Sequence, residues 1–154
     1  MASSATPTVI RALLAVATAG AAVGVNVNPG FDLTNMEADA GIFVGSDDIA
    51  AVTPTGSTSD QAMATAGTPR SRSQIGIVPC AAYIRRGDGD LLAAMDTAYA
   101  QMAIFEAAFR ADQRIGIGGY SLVVVQLGSE ALSWSEVAGV EVLLTFPVQF
   151  EVRI

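Results

Sequence analysis

The chain predicts an α+β domain: a mixed, mostly antiparallel sheet with two helices packed on one face and a long C-terminal strand. Three observations carry that reading. The even-numbered residues from Val140 to Ile154 are all apolar, and Glu141, Thr145, Gln149, Glu151 and Arg153 lie between them; a period of two marks a half-buried strand. Leu91, Met95, Ala98, Met102, Phe105 and Phe109 recur at spacings of four and three, the stripe of an amphipathic helix. Short apolar runs bounded by Gly and Pro supply the remaining strands. A chain of 154 residues fits one domain with a proper core.

The elements follow in order. Thr6 and Pro7 read as N-cap and first helical residue of a helix that ends near Gly20. The run 9–25 is apolar, but residues 1–8 carry no basic side chain, so a packed helix is expected and not a signal peptide or membrane anchor. Val25 and Val27 alternate with Asn26 and Asn28 before Pro29-Gly30, a short strand. Ile42-Phe43-Val44, between Gly41 and Gly45, reads as another. Residues 53–73 are rich in Pro, Gly, Ser and Thr and read as a long flexible loop, mobile in the free subunit and ordered by a partner. The strand Gln74–Ile84 places Ile75 and Ile77 on one face and Val78 and Cys80 on the other, with Pro79 implying an edge or bulge. Asp88 or Asp90 caps the long helix 90–111. After Gly116, Gly118 and Gly119, Tyr120–Leu127 is apolar on both faces and reads as a central strand. Residues 128–134 form a turn or hairpin arm, and the last strand closes the domain. At about 3.3 Å per residue that strand spans roughly 50 Å, long enough to outrun its own core and meet a neighbouring subunit.

Composition narrows the function. Formal net charge is −7 and 51% of residues are hydrophobic, so charge-driven binding to nucleic acid is disfavoured, and apolar surface is available for partners. There is no histidine, and all basic residues are Arg; the commonest general base and metal ligand is missing. Cys80 is the single cysteine, which excludes an internal disulfide and reads as a buried small hydrophobe. Gly116-Ile117-Gly118-Gly119 lacks dinucleotide-loop spacing, and no phosphate-binding loop exists without lysine. Asp47-Asp48 and Gly87-Asp88-Gly89-Asp90 do not follow a calcium-loop pattern; turns and a helix cap account for them. No catalytic residue, cofactor or metal ligand is expected.

Three segments carry a resemblance. They are Ile77-Val78-Pro79-Cys80-Ala81-Ala82-Tyr83 followed by Gly87-Asp88-Gly89-Asp90, then the helix from Asp96 through Phe105 to Asp112, then Leu122 through Ser133 with Gly139–Phe150 and Arg153-Ile154. Together with Ile42–Asp48, this pattern resembles the tail terminator, or tail completion, proteins of long-tailed non-contractile phages, especially those of actinobacterial hosts. The match covers about half the chain and consists of packing patterns, not catalytic signatures.

The resemblance implies a virion structural protein at the head–tail junction, assembled in the host cytoplasm. It would form a hexameric ring on the tail tube protein, end tube polymerisation and offer the surface that the head-closure or connector protein joins. Genomic DNA would pass through the lumen without specific binding, and no membrane would be involved. Six copies of a chain of charge −7 would carry roughly −42, a field that repels phosphate. The candidate interface residues are Phe150, Val152 and Ile154 at the strand's end, with Arg70 and Arg72 in the loop. Two alternatives stand beside this: another neck or tube protein of the virion, and a host secreted or membrane-anchored ligand-binding domain.

Overall fold

A computed structural model describes residues 5–30, 39–45, 56–61, 72–120, 122–136 and 139–153. The fold is the expected α+β arrangement. Its elements are α1 (Thr6–Gly20), β1 (Val25–Pro29), β2 (Ala40–Val44), β3 (Gly56–Gln61), β4 (Arg72–Arg86), α2 (Leu91–Ala111), β5 (Leu122–Leu127), β6 (Ala131–Ser135) and β7 (Val140–Arg153). They build one sheet in the order β1-β2-β4-β7-β5, with β3 added to β4 and β6 to β7. Among the described strands only the β1–β2 pair is parallel.

The spine is the antiparallel pair β4–β7, in register from Ser73 opposite Arg153 to Arg86 opposite Val140. The long C-terminal strand is therefore matched inside its own subunit, and the expectation that it overhangs the core is corrected. Sequence periodicity showed its length but not that β4 is equally long. Each long strand is flanked by an interrupted companion. Along β4, β2 pairs from Ile84 to Cys80 and β3 from Ile77 to Arg72. Along β7, β5 pairs from Arg153 to Val148 and β6 from Thr145 to Glu141. Between β5 and β6 three residues face two of β7, a bulge-like break. The loop expected at 53–73 is also corrected in part: Gly56–Gln61 is a strand and β4 begins at Arg72. The segment Gly56–Gln61 has no apolar residue to give it a period; a ladder of main-chain bonds to β4 holds it. The remainder of that loop lies outside the described residues.

Both helices cover one sheet face. Val9, Leu13 and Ala17 of α1, and Ala98, Phe105 and Phe109 of α2, share a core with Val78, Cys80, Ala82 and Ile84 of β4 and the even-numbered residues of β7. Phe105 sits at its centre, its ring 5.4 Å from that of Phe146 and 6.3 Å from that of Phe109. On the other face Phe43, Ala81 and Tyr83 form a smaller buried cluster beside Leu143. Asp90 caps α2 by accepting from the Ala93 amide at 3.1 Å, while Asp88 clamps Arg86 instead. The N-cap of α1 is Ala5, not Thr6, and makes no side-chain cap. The missing acceptor comes from far along the chain: Gln74 Oε1 takes the Ala5 amide at 2.7 Å, in a site where Gln74 is buried. Among the described residues Gln101 is the other buried polar residue of the core, and its Oε1 has no hydrogen-bond partner there; the α2 stripe read from sequence does not include it.

Candidate assembly interface

The structure separates the residues expected at an interface. Phe150 and Val152 point into the helix-covered core at 2% and 0% exposure. They hold this subunit together and offer no surface, so their assignment to an interface is corrected. Their place follows from the period of two: even-numbered β7 residues all face the helices. Arg72 lies in β4 opposite Gln61. Arg70 and Ile154 fall outside the described residues, as do Asp47 and Asp48.

The groups that tempt a chemical reading are absorbed by structure. Cys80 is fully buried, Sγ 3.7 Å from the Val78 carbonyl oxygen, and burial pushes its thiol up, away from the reactive thiolate. Burial raises Tyr83 as well, helped by a hydrogen bond to Glu141. The Arg86 guanidinium holds the Asp88 carboxyl at about 2, and Asp39 pairs with Arg85 at 2.9 Å. Among the described residues no cluster of His, Cys, Asp or Glu could hold a metal ion, and no helix is long and apolar enough to cross a membrane.

The surface features lie on the sheet. The strand β5, expected to be central, stands at the end of the strand order. This is a correction, and its cause is visible. Val123 and Val125 are buried under α2, while Val124 turns to the open face, so both faces are apolar although one edge has no partner strand among the described residues. None of its six residues is charged, whereas exposed edges usually carry charge or proline that blocks further pairing. The Gly128 amide donates to the Pro147 carbonyl at 2.8 Å, which sets the phase of the ladder. Leu122, Val124 and Gln126 turn their main-chain groups toward β7, and Val123, Val125 and Leu127 turn theirs outward.

Two shallow hollows flank this edge. On the open face Ile75, Ile77 and Val124, with Gln126, Gln149 and Glu151, line one of about 420 Å³. Ile75 is 51% exposed there. On the helix side a groove of about 370 Å³ runs between α2 and β5, with Phe109, Val125 and Leu127 at its floor and the Glu106–Arg110 pair on its wall. The opposite edge of the sheet, β1, is built differently. The Gly30 amide donates to the Val44 carbonyl, so Asn26 and Asn28 face β2 while Val25, Val27 and Pro29 face outward. The Val25 amide is taken by the Ala22 carbonyl at 3.2 Å, and Pro29 has no N–H. This edge thus offers carbonyls and a single amide, that of Val27.

No family model matches the chain, and no curated protein matches it.

Proposed function

We propose that the protein is a structural subunit of a long-tailed, non-contractile phage that closes into a ring on the tail tube. The ring ends tube polymerisation and presents the surface that joins the tail to the filled head. The observation that carries this reading is the uncharged β5 edge, apolar on both faces and unpaired among the described residues. The tail-terminator resemblance of 77–83 with 87–90, of 96–112, and of 122–133 with 139–150 and 153–154 gives that edge a role. A ring of identical subunits needs a heterologous contact whose rotation closes, and a sheet with two unlike edges supplies unlike surfaces. The partners on this reading are further copies of the chain, the tail tube protein and the head-closure protein, with DNA passing through an acidic lumen.

Native mass measurement at assembly concentration is expected to give a closed oligomer, six copies on the resemblance. In a phage lacking the protein, tails should reach irregular lengths and fail to join heads. Tails of normal length joined to heads in that deletion would overturn the assignment.

A further inference from the structure

We infer that β5 of one subunit pairs antiparallel with β1 of the next, so that the sheet runs on from copy to copy; this rests on the ring reading above. The geometry carries it in three steps. First, the strand directions are fixed within the subunit. β5 and β4 both run opposite to β7, β2 runs opposite to β4, and β1 runs with β2. Hence β1 runs opposite to β5. Repeating the subunit head to tail along the sheet preserves strand direction, so the junction is antiparallel without any rearrangement, and it needs only a local edge-to-edge ladder.

Second, the hydrogen-bonding groups are complementary. The outward groups of β5 are the amides and carbonyls of Val123, Val125 and Leu127. Those of β1 are the carbonyls of Val25, Val27 and Pro29 and the Val27 amide. With Val125 opposite Val27, those two residues exchange both bonds, and the Val123 and Leu127 amides reach the Pro29 and Val25 carbonyls. β1 is a poor template for a copy of itself, because two carbonyl-bearing positions have no amide to return. It suits a donor-rich edge. Third, the faces agree. Val27 lies on the helix side with Val25, packed on the main core, as Val123 and Val125 do, and Asn26 and Asn28 share the open side with Gln126. A continued strand would cover the apolar flank that makes β5 read as central in the sequence.

The test is disulfide trapping at the junction. In the stated register Asn26 of one copy stands opposite Gln126 of the next, in a non-hydrogen-bonded pair, where Cα atoms approach to about 4.5 Å, within disulfide reach. Cys80 is fully buried and stays silent. Asn26→Cys and Gln126→Cys are made separately, mixed and oxidised, with native mass recorded in parallel. A disulfide-linked dimer is expected from the mixture and from neither variant alone. The double variant should give a ladder ending at the ring. A ring by native mass with no cross-link in the mixture overturns the edge pairing and leaves the ring reading standing. Monomer throughout, with no cross-link, overturns both. A disulfide-linked dimer from Gln126→Cys alone would show β5 pairing with itself and overturn the inference.

Discussion

Pro79 stands directly opposite Pro147 at the middle of the β4–β7 spine. Proline has no N–H to donate to a ladder, and an interior strand has a ladder on each side, yet both strands are central here. The pair is tolerated because each outer companion strand is broken at that level. Pro79 faces the gap between β2 and β3, and Pro147 the gap between β5 and β6. Each proline carbonyl still points outward and is satisfied by a glycine amide: Gly45 donates to Pro79 at 2.7 Å and Gly128 to Pro147 at 2.8 Å. The prolines thus mark where a sheet of long strands accepts short neighbours.

Gly128→Ala should therefore destabilise the fold. An added Cβ would lie 2.7 Å from Pro147 Cγ and 3.3 Å from Gln149 Nε2. Relieving such overlap costs about 1–3 kcal/mol, a fall of about 2–4 °C in Tm per kcal/mol for a chain this size. Pro147→Ala removes the clashing ring atom, so the double variant should lose less than the two singles together. Additive losses in thermal melts would refute the contact.

Phe105→Asp should unfold the domain, while Glu106→Ala should leave it folded. Phe105 is fully buried between Phe109 and Phe146; deleting such a ring costs about 3–5 kcal/mol before any charge is buried, against a total stability of about 5–15 kcal/mol. Glu106 only pairs with Arg110 on the helix surface, a contact of small worth. Circular dichroism decides it, and a Phe105→Asp variant melting like the parent would remove Phe105 from the core.

These two helix positions were legible in the sequence because period and face coincide: Phe105 falls on the stripe and Glu106 off it. β7 was legible for the same reason. What escaped depends on contacts distant in sequence. The alternation of β7 could not say that β4 starts at Arg72, inside a polar stretch, and so its length read as overhang. Phe150 and Val152 were on the correct face of the strand, but that face turned out to be the subunit's own core. The segment Gly56–Gln61 is a strand without an apolar period, since it needs only β4 beside it. The pattern of β5 is that of a central strand, yet among the described strands it stands at the end of the order. Thr6 read as the cap of α1 because Ser and Thr commonly cap, whereas the acceptor is Gln74.

Gln74→Leu tests that last contact. The substitution keeps the buried volume similar but leaves the Ala5 amide, now 2.7 Å from Gln74 Oε1, without its acceptor. An unsatisfied buried donor costs about 1–3 kcal/mol. The loss should be concentrated at the start of α1, so hydrogen exchange there should accelerate more than in α2. Uniform acceleration across both helices would indicate general core damage instead, and unchanged exchange would mean the amide finds another partner.

Acid should expose the worth of the two exposed aspartates at the ends of α2. Arg86 holds Asp88 at about 2, from an ordinary value of 3.8, with help from the Asp90 amide. The Gly116 and Arg114 amides lower Asp112. A carboxyl lowered in the folded state favours folding while it is ionised, and the contribution is fully present above the unfolded value. It fades as pH falls from about 4 toward about 2, when the folded state takes up the proton. Asp88→Asn removes that dependence, so the gap in urea midpoint between parent and variant should narrow over this window. Salt should shrink the Asp88 effect, because its partner is a solvent-exposed guanidinium. It should affect Asp112 less, because there the partners are main-chain amides at 2.9 Å. Midpoints that stay a constant distance apart from pH 4 to pH 2 would show that the Arg86–Asp88 pair contributes nothing to folding.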